Sequence, residues 1–282
     1  MNKYMLGLYE KSMPSNLSWE EKLSCAKNAG FDFVEISIDE SEEKLKRLES
    51  SKEERIEIVR AMEKVGLPIR TLCLSGHRKY PLGSLNEETR NKGLWIMEKA
   101  LELACDLGVR IIQLAGYDVY YEESTAESRE LFKTNLKKCV DMAASYGVIL
   151  AFETMETEFM NTVEKAMTYV NEINSPYLQV YPDSGNITNA AKKHNKNVID
   201  DLEFGAGHIA AVHLKETVPD VFREVPFGTG HVAFESIIKK SFDLGVRRYV
   251  TEFWYVGNED WMNDIKYAKT FIDEKFRSAL GL

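Results

Sequence analysis

Val148-Ile149-Leu150-Ala151-Phe152 runs without a polar break into Glu153. The run is too short for a typical helix, and its lack of alternation marks a strand buried on both faces, as in a parallel sheet covered by helices. The pattern recurs three times: Leu178-Gln179-Val180-Tyr181-Pro182 leads to Asp183, Ile209-Ala210-Ala211-Val212 to His213, and Arg248-Tyr249-Val250-Thr251 to Glu252. A side chain at the end of such a strand stands at the C-terminal rim of the sheet, where α/β folds carry their chemistry. Glu153, Asp183, His213 and Glu252 therefore form a mixed oxygen and nitrogen donor set on one rim. It suits a single divalent ion (Zn²⁺, Mn²⁺, Co²⁺ or Mg²⁺), and the donor types do not choose among these. Taken singly, each residue has a plain structural reading as a solvated carboxylate or a hydrogen-bonded histidine. Four in succession favour the metal.

The rest of the chain alternates in the same way. Strands are expected over residues 4–9, 31–38, 69–74 and 111–116, with helices between them that begin at Ser18 and Asn86 and stop at Gly30, Gly66 and Gly108. The charged segment 41–65 is expected to hold one helix with Ile56, Val59, Ala61 and Met62 on its inner side. Helices follow over residues 126–146, 162–173, 234–244 and 260–280, and another after Asn197-Val198; residues 187–204 are otherwise the least regular stretch. Eight strands alternating with helices across 282 residues, with no shift in composition, imply one (β/α)8 TIM barrel spanning residues 1–282. A net charge of −9 speaks against a nucleic-acid surface. No apolar run approaches the roughly 20 residues of a membrane span. Met1-Asn2-Lys3-Tyr4 carries no leader pattern, and Cys25, Cys73, Cys105 and Cys139 show no CxxC spacing, so reduced buried thiols and a cytoplasmic setting are expected.

Several ordered motifs carry a family resemblance: Gly7-Leu8-Tyr9-Glu10-Lys11, Phe31-Asp32-Phe33-Val34-Glu35, Cys73-Leu74-Ser75-Gly76-His77-Arg78, Gln113-Leu114-Ala115-Gly116-Tyr117, Tyr181-Pro182-Asp183-Ser184-Gly185-Asn186 and Val212-His213-Leu214-Lys215. With them the chain resembles, over nearly its whole length, the L-ribulose-5-phosphate (L-xylulose-5-phosphate) 3-epimerases. These belong to a wider xylose-isomerase-like barrel superfamily that also includes endonuclease IV. The resemblance implies a metal-dependent 3-epimerase acting on a phosphorylated pentulose. The cation polarises the C2 carbonyl and acidifies the C3 proton, giving an enediolate. Glu153 and Glu252 match the family's two metal-bound glutamates, one acting as base and the other as acid on opposite faces. Asp183 and His213 complete the metal shell, and Asn186 matches a substrate-contacting position.

For the phosphate, Lys11 and the Ser75, His77 and Arg78 loop are the expected donors. Lys215, two residues past His213, is expected to reach substrate oxygens. Glu35 is expected either to bind substrate, to orient a metal ligand or to sit in a buried ion pair. Tyr9, Gln113 and Trp254 are expected pocket walls. A homodimer paired through barrel helices is expected, and the polar segment 190–197 is expected to reshape the rim. An aldose–ketose isomerase on the same barrel remains an alternative, since a polarised carbonyl serves both reactions. A DNA-repair nuclease would need more rim histidines than this chain's five His supply, and a basic face.

Overall fold

The structure, a computed structural model, describes residues 4–282. Residues 1–3, where most of the leader reading falls, lie outside it. Eight strands run parallel: β1 (Met5–Tyr9), β2 (Phe33–Ile38), β3 (Ile69–Leu74), β4 (Ile111–Ala115), β5 (Ile149–Glu153), β6 (Leu178–Tyr181), β7 (Val212–Leu214) and β8 (Arg248–Thr251). Their order is β6-β5-β4-β3-β2-β1-β8-β7, so the sheet curls until β6 and β7 face each other. That last seam is made of single bridges, Val180 with Ile209 and Asp183 with His213. The Val180 N–H donates to the His208 carbonyl (2.8 Å), and the His213 N–H donates to the Pro182 carbonyl (2.9 Å). Pro182 has no N–H to extend a ladder. The apolar run 209–212 consequently contributes only its last residue to β7, and His213 lies inside that strand rather than after it.

The helices are α1 (Trp19–Asn28), α2 (Glu42–Lys46), α3 (Lys52–Val65), α4 (Glu87–Leu107), α5 (Ala126–Tyr146), α6 (Val163–Ile173), α7 (Ser184–Lys193), α8 (Val198–Phe204), α9 (Phe234–Asp243) and α10 (Trp261–Leu280). Two differ from the sequence reading. Segment 41–65 holds two helices, because Ser51 opens α3 with a capping box to Glu54. Ile56 is exposed, and α3 turns Ile58 and Val65 inward beside the expected Val59, Ala61 and Met62. Residues 184–193 form a full helix, α7, capped by Asp183. Ala190 to Lys193 therefore end a helix, and none of residues 190–197 lines the cavity described below.

Alternation along each strand sorts the core into two layers. Val34, Ile36, Leu72, Leu150, Phe152 and Val180 face the helices. Tyr9, Phe33, Cys73, Ile111, Ala151, Tyr181, Ala211 and Val250 face inward and fill the barrel. A β-carbon at Gly7 would run into the Phe33 ring, so glycine there makes room for the plug. Beyond β1 the chain is anchored by Glu10, which is almost fully buried. Its carboxylate accepts from Lys22 (2.8 Å), Lys44 (2.8 Å), Arg47 (2.7 and 2.8 Å) and the Ser37 N–H (2.9 Å).

Candidate active site

Glu153, Asp183, His213 and Glu252 each stand two residues beyond a member of the inward apolar layer, respectively Ala151, Tyr181, Ala211 and Val250. The period of two therefore aims all four into the barrel mouth. Their donor atoms lie within 4.8 Å of one another, and all four side chains are buried. His213 Nδ1 is 3.1 Å from Glu153 Oε1 and 3.2 Å from Glu252 Oε2. Its Nε2 is 2.6 Å from Glu35 Oε1, and the Tyr181 hydroxyl donates to the other Glu35 oxygen (3.0 Å). A carboxylate behind an imidazole is the usual support of a metal-binding histidine, since it fixes the ring and its tautomer. Gln113, from β4, donates to Glu153 Oε2. Asp183 Oδ1 is taken by the Asn186 N–H (2.7 Å) as the helix cap of α7, which leaves Oδ2 facing the cluster.

The charges do not balance among themselves. Burial, with the neighbouring Glu252 charge, pushes the Glu153 carboxyl above its usual range. Burial also pushes Asp183 well up, although Lys215 opposes it. Glu252 goes the other way: burial would raise it, but Lys215 and His213 outweigh that and hold it low. Burial would lower the His213 imidazole, but Glu35 and Glu252 outweigh it and push it well above its usual range. Among the described residues, Asp183 Oδ2 is buried with no hydrogen-bond partner, and Glu252 Oε2 has beside it the His213 Nδ1 at 3.2 Å, which Glu153 shares, and the Lys215 ammonium at 3.7 Å. Buried carboxylate oxygens without donors are costly unless a cation meets them. Three carboxylates and an imidazole nitrogen converging at such distances fit a divalent ion.

Above the cluster opens a cleft with about 480 Å³ of empty space, part of it open to solvent. Its floor and walls include Tyr9, Cys73, Glu153, Glu252 and Trp254, and its rim carries Lys11, Ser75, Arg78, Asn186 and Lys215. Lys215 is buried; its ammonium donates to Asn186 Oδ1 (3.0 Å) and lies 3.2 Å from Asp183 and 3.7 Å from Glu252. Lys11 reaches the rim while ion-paired with Asp39. Arg78 lies over the Tyr117 and Tyr120 rings and donates to the Tyr117 hydroxyl (3.3 Å).

Two expected substrate contacts lie elsewhere. His77 is buried beneath α4, with Nε2 3.0 Å from the Gly93 carbonyl, because the 3₁₀ turn at Gly76–Arg78 swings its ring away from the mouth. Burial lowers its pKa to about 4. Glu35 lies in the layer below the cavity, where it forms the expected buried pair with His213 and accepts from Tyr181, and it does not line the cavity. Gln113 also lies below, on Glu153, and is not a wall.

Sequence reasoning passed over Met155, Glu156, Phe222 and Arg223, which complete the lining. Met155 was within reach of the period-two rule, standing two residues past Glu153. The other three sit on loops, where no period applies.

The xylose isomerase-like TIM barrel family matches residues 23–271. The chain is 43% identical over 277 residues to the L-ribulose-5-phosphate 3-epimerase UlaE of Escherichia coli O157:H7, covering 97% of this chain and 95% of that one. The enzyme of the same name from Shigella sonnei (strain Ss046) gives the same figures. Among solved structures, an L-ribulose 3-epimerase superposes with a TM-score of 0.76 at 18% identity, covering 98% of this chain and 95% of that chain. A D-tagatose 3-epimerase-like protein superposes with a TM-score of 0.80 at 17% identity, covering 98% of each. At such identities these superpositions speak to the fold.

Proposed function

We propose that this chain, which belongs to the xylose isomerase-like TIM barrel family and within it to the L-ribulose-5-phosphate 3-epimerases, interconverts L-ribulose 5-phosphate and L-xylulose 5-phosphate by inverting C3. It is an isomerase, and the reading makes it metal-dependent. The observation that carries the reading is the pair Glu153 and Glu252. The two carboxylates come from β5 and β8, meet the same imidazole nitrogen at 3.1 and 3.2 Å, and both line the cavity.

Glu153, Asp183, His213 and Glu252 would hold the ion, whether Zn²⁺, Mn²⁺, Co²⁺ or Mg²⁺. Bound there, a divalent cation supplies Lewis acidity to the ketose carbonyl and lowers the barrier to losing the C3 proton. One glutamate takes that proton from one face of C3, leaving the electron pair shared between C3, C2 and the carbonyl oxygen as an enediolate. The other glutamate, entering protonated, delivers its proton to the opposite face, so C3 inverts and the two carboxyls have exchanged protonation states. Lys215, held charged by Asp183, Glu252 and Glu153 against the cost of burial, faces the oxygens on which negative charge develops. Asn186 fixes that ammonium through its Oδ1. Lys11, Ser75 and Arg78, which also line the cavity, supply donors for the phosphate. The reading also includes a homodimer and a reducing cytoplasm, in keeping with four free cysteines and the absence, among the described residues, of a helix able to cross a membrane.

The test is turnover of L-ribulose 5-phosphate before and after chelation, followed by NMR. We expect L-xylulose 5-phosphate to appear, activity to vanish with chelator and Mn²⁺ or Co²⁺ to restore it. An aldose as product would replace the epimerase with an aldose–ketose isomerase.

A further inference from the structure

Between Lys215 and Lys239 the chain has a single Lys or Arg, Arg223. It rides on the loop from β7 to α9, and with its neighbour Phe222 it lines the cavity from above. The segment bearing them is bracketed by Asp220 (φ 62°) and Glu224 (φ 58°), both in the left-handed region that residues with a β-carbon avoid. Such a segment is held by its surroundings rather than by its own preference. The holding contacts are weak: the guanidinium is 3.8 Å from Glu156 Oε1 and 5.8 Å from the Trp254 ring, and about half of the side chain is exposed. Glu156 is otherwise committed. It accepts from the Tyr117 hydroxyl (2.9 Å) and the Tyr120 hydroxyl (3.2 Å), and Arg78 braces Tyr117 from the far side. Arg223 thus has most of its donors free and a carboxylate partner whose lone pairs are already shared.

We propose that Arg223 is the substrate-selecting residue of this site: a phosphate on the ketose draws its guanidinium off Glu156 and brings Phe222 and Arg223 down over the cavity, whereas a neutral hydroxymethyl end leaves the Arg223–Glu156 pair in place. A phosphate dianion offers three acceptor oxygens and bidentate geometry, which one shared carboxylate at 3.8 Å does not match. Glu156 is then the internal competitor for the guanidinium. The proposal rests on the phosphopentulose reading above.

It is tested by kcat and KM for L-ribulose 5-phosphate and for L-ribulose, with Mn²⁺-loaded wild type, Arg223→Gln, Arg223→Lys and Glu156→Gln. In Arg223→Gln we expect KM for the phosphate to rise about 10- to 100-fold, and the phosphate-to-sugar ratio of kcat/KM to fall by the same factor. Arg223→Lys should recover part of that ratio, and Glu156→Gln should lower KM for the phosphate. An Arg223→Gln ratio equal to wild type, or equal losses on both substrates, would overturn the proposal. Wild type that handles L-ribulose as well as its phosphate would instead sink the phosphopentulose reading, and does so before any variant is compared.

Discussion

Glu35 shows how much of this site depends on a residue that never meets the cavity. Its carboxylate holds His213 at 2.6 Å and accepts from Tyr181 at 3.0 Å, which turns Nδ1 of the imidazole toward Glu153 and Glu252. Replacing it by the near-isosteric Gln removes the charge but keeps the shape. We therefore expect Glu35→Gln to weaken divalent-ion binding by about 10- to 100-fold, measured by competition with a chromophoric chelator. Unchanged affinity would mean that the Glu35 carboxylate does not tune the imidazole. The four donors were legible in the sequence because each ends an apolar run and shares its parity with an inward core residue. Glu35 shared that parity too, with Phe33 two residues before it, but sequence spacing carries no depth and did not say which layer it would occupy. His77 failed for the opposite reason: a 3₁₀ turn after β3 breaks the alternation, so the ring dives under α4.

At the scale of elements, α7 couples the site to the fold. Asp183 closes β6, caps α7 with one oxygen and offers the other to the cluster. The two roles separate by substitution. Asp183→Asn keeps an acceptor for the cap but loses the charge, whereas Asp183→Ala loses both and about 1 kcal/mol of cap stability. Thermal melts without added metal should place Ala below Asn, because Asn keeps the acceptor that caps α7. On adding Mn²⁺ only wild type should gain stability appreciably. Equal Mn²⁺ stabilisation of Asp183→Asn would remove Asp183 from the ligand set. Sequence missed this helix because its residues, Ser-Gly-Asn-Ile-Thr-Asn-Ala-Ala-Lys-Lys, present few apolar side chains and open on weak helix formers. α4 and α5, each with an Asn or Thr cap and a glycine stop, were read to within a residue or two. The loop holding Arg223 had no such signals.

For the whole molecule, the barrel followed from alternation alone, while its closure did not: Pro182 reduces the β6–β7 seam to single bridges beside the cluster of Glu153, Asp183, His213 and Glu252. Two buried groups outside that cluster contribute to the acid limb of stability. His77 is neutral in the fold, with a pKa lowered to about 4 from 6.5. The unfolded chain therefore binds its proton first, and the contribution, full above pH 6.5, is lost as pH falls toward 4, roughly 3 kcal/mol in all. Glu10 is held low: burial raises it, but Arg47, Lys44 and Lys22 outweigh that. Its contribution is full above its unfolded value near 4.5 and is lost as pH falls further. Urea midpoints against pH should thus fall more steeply between pH 6.5 and 4 for wild type than for His77→Gln, the titrations of the cluster cancelling in the difference. An unchanged slope would contradict the buried, neutral His77.

The central claim concerns C3, and single-turnover epimerisation of L-ribulose 5-phosphate in D₂O by the Mn²⁺-loaded enzyme tests it most directly. Two glutamates on opposite faces predict L-xylulose 5-phosphate carrying deuterium at C3, while unreacted substrate sampled early keeps its hydrogen. Deuterium at C1, or an epimer that retains its original C3 hydrogen, would contradict the account.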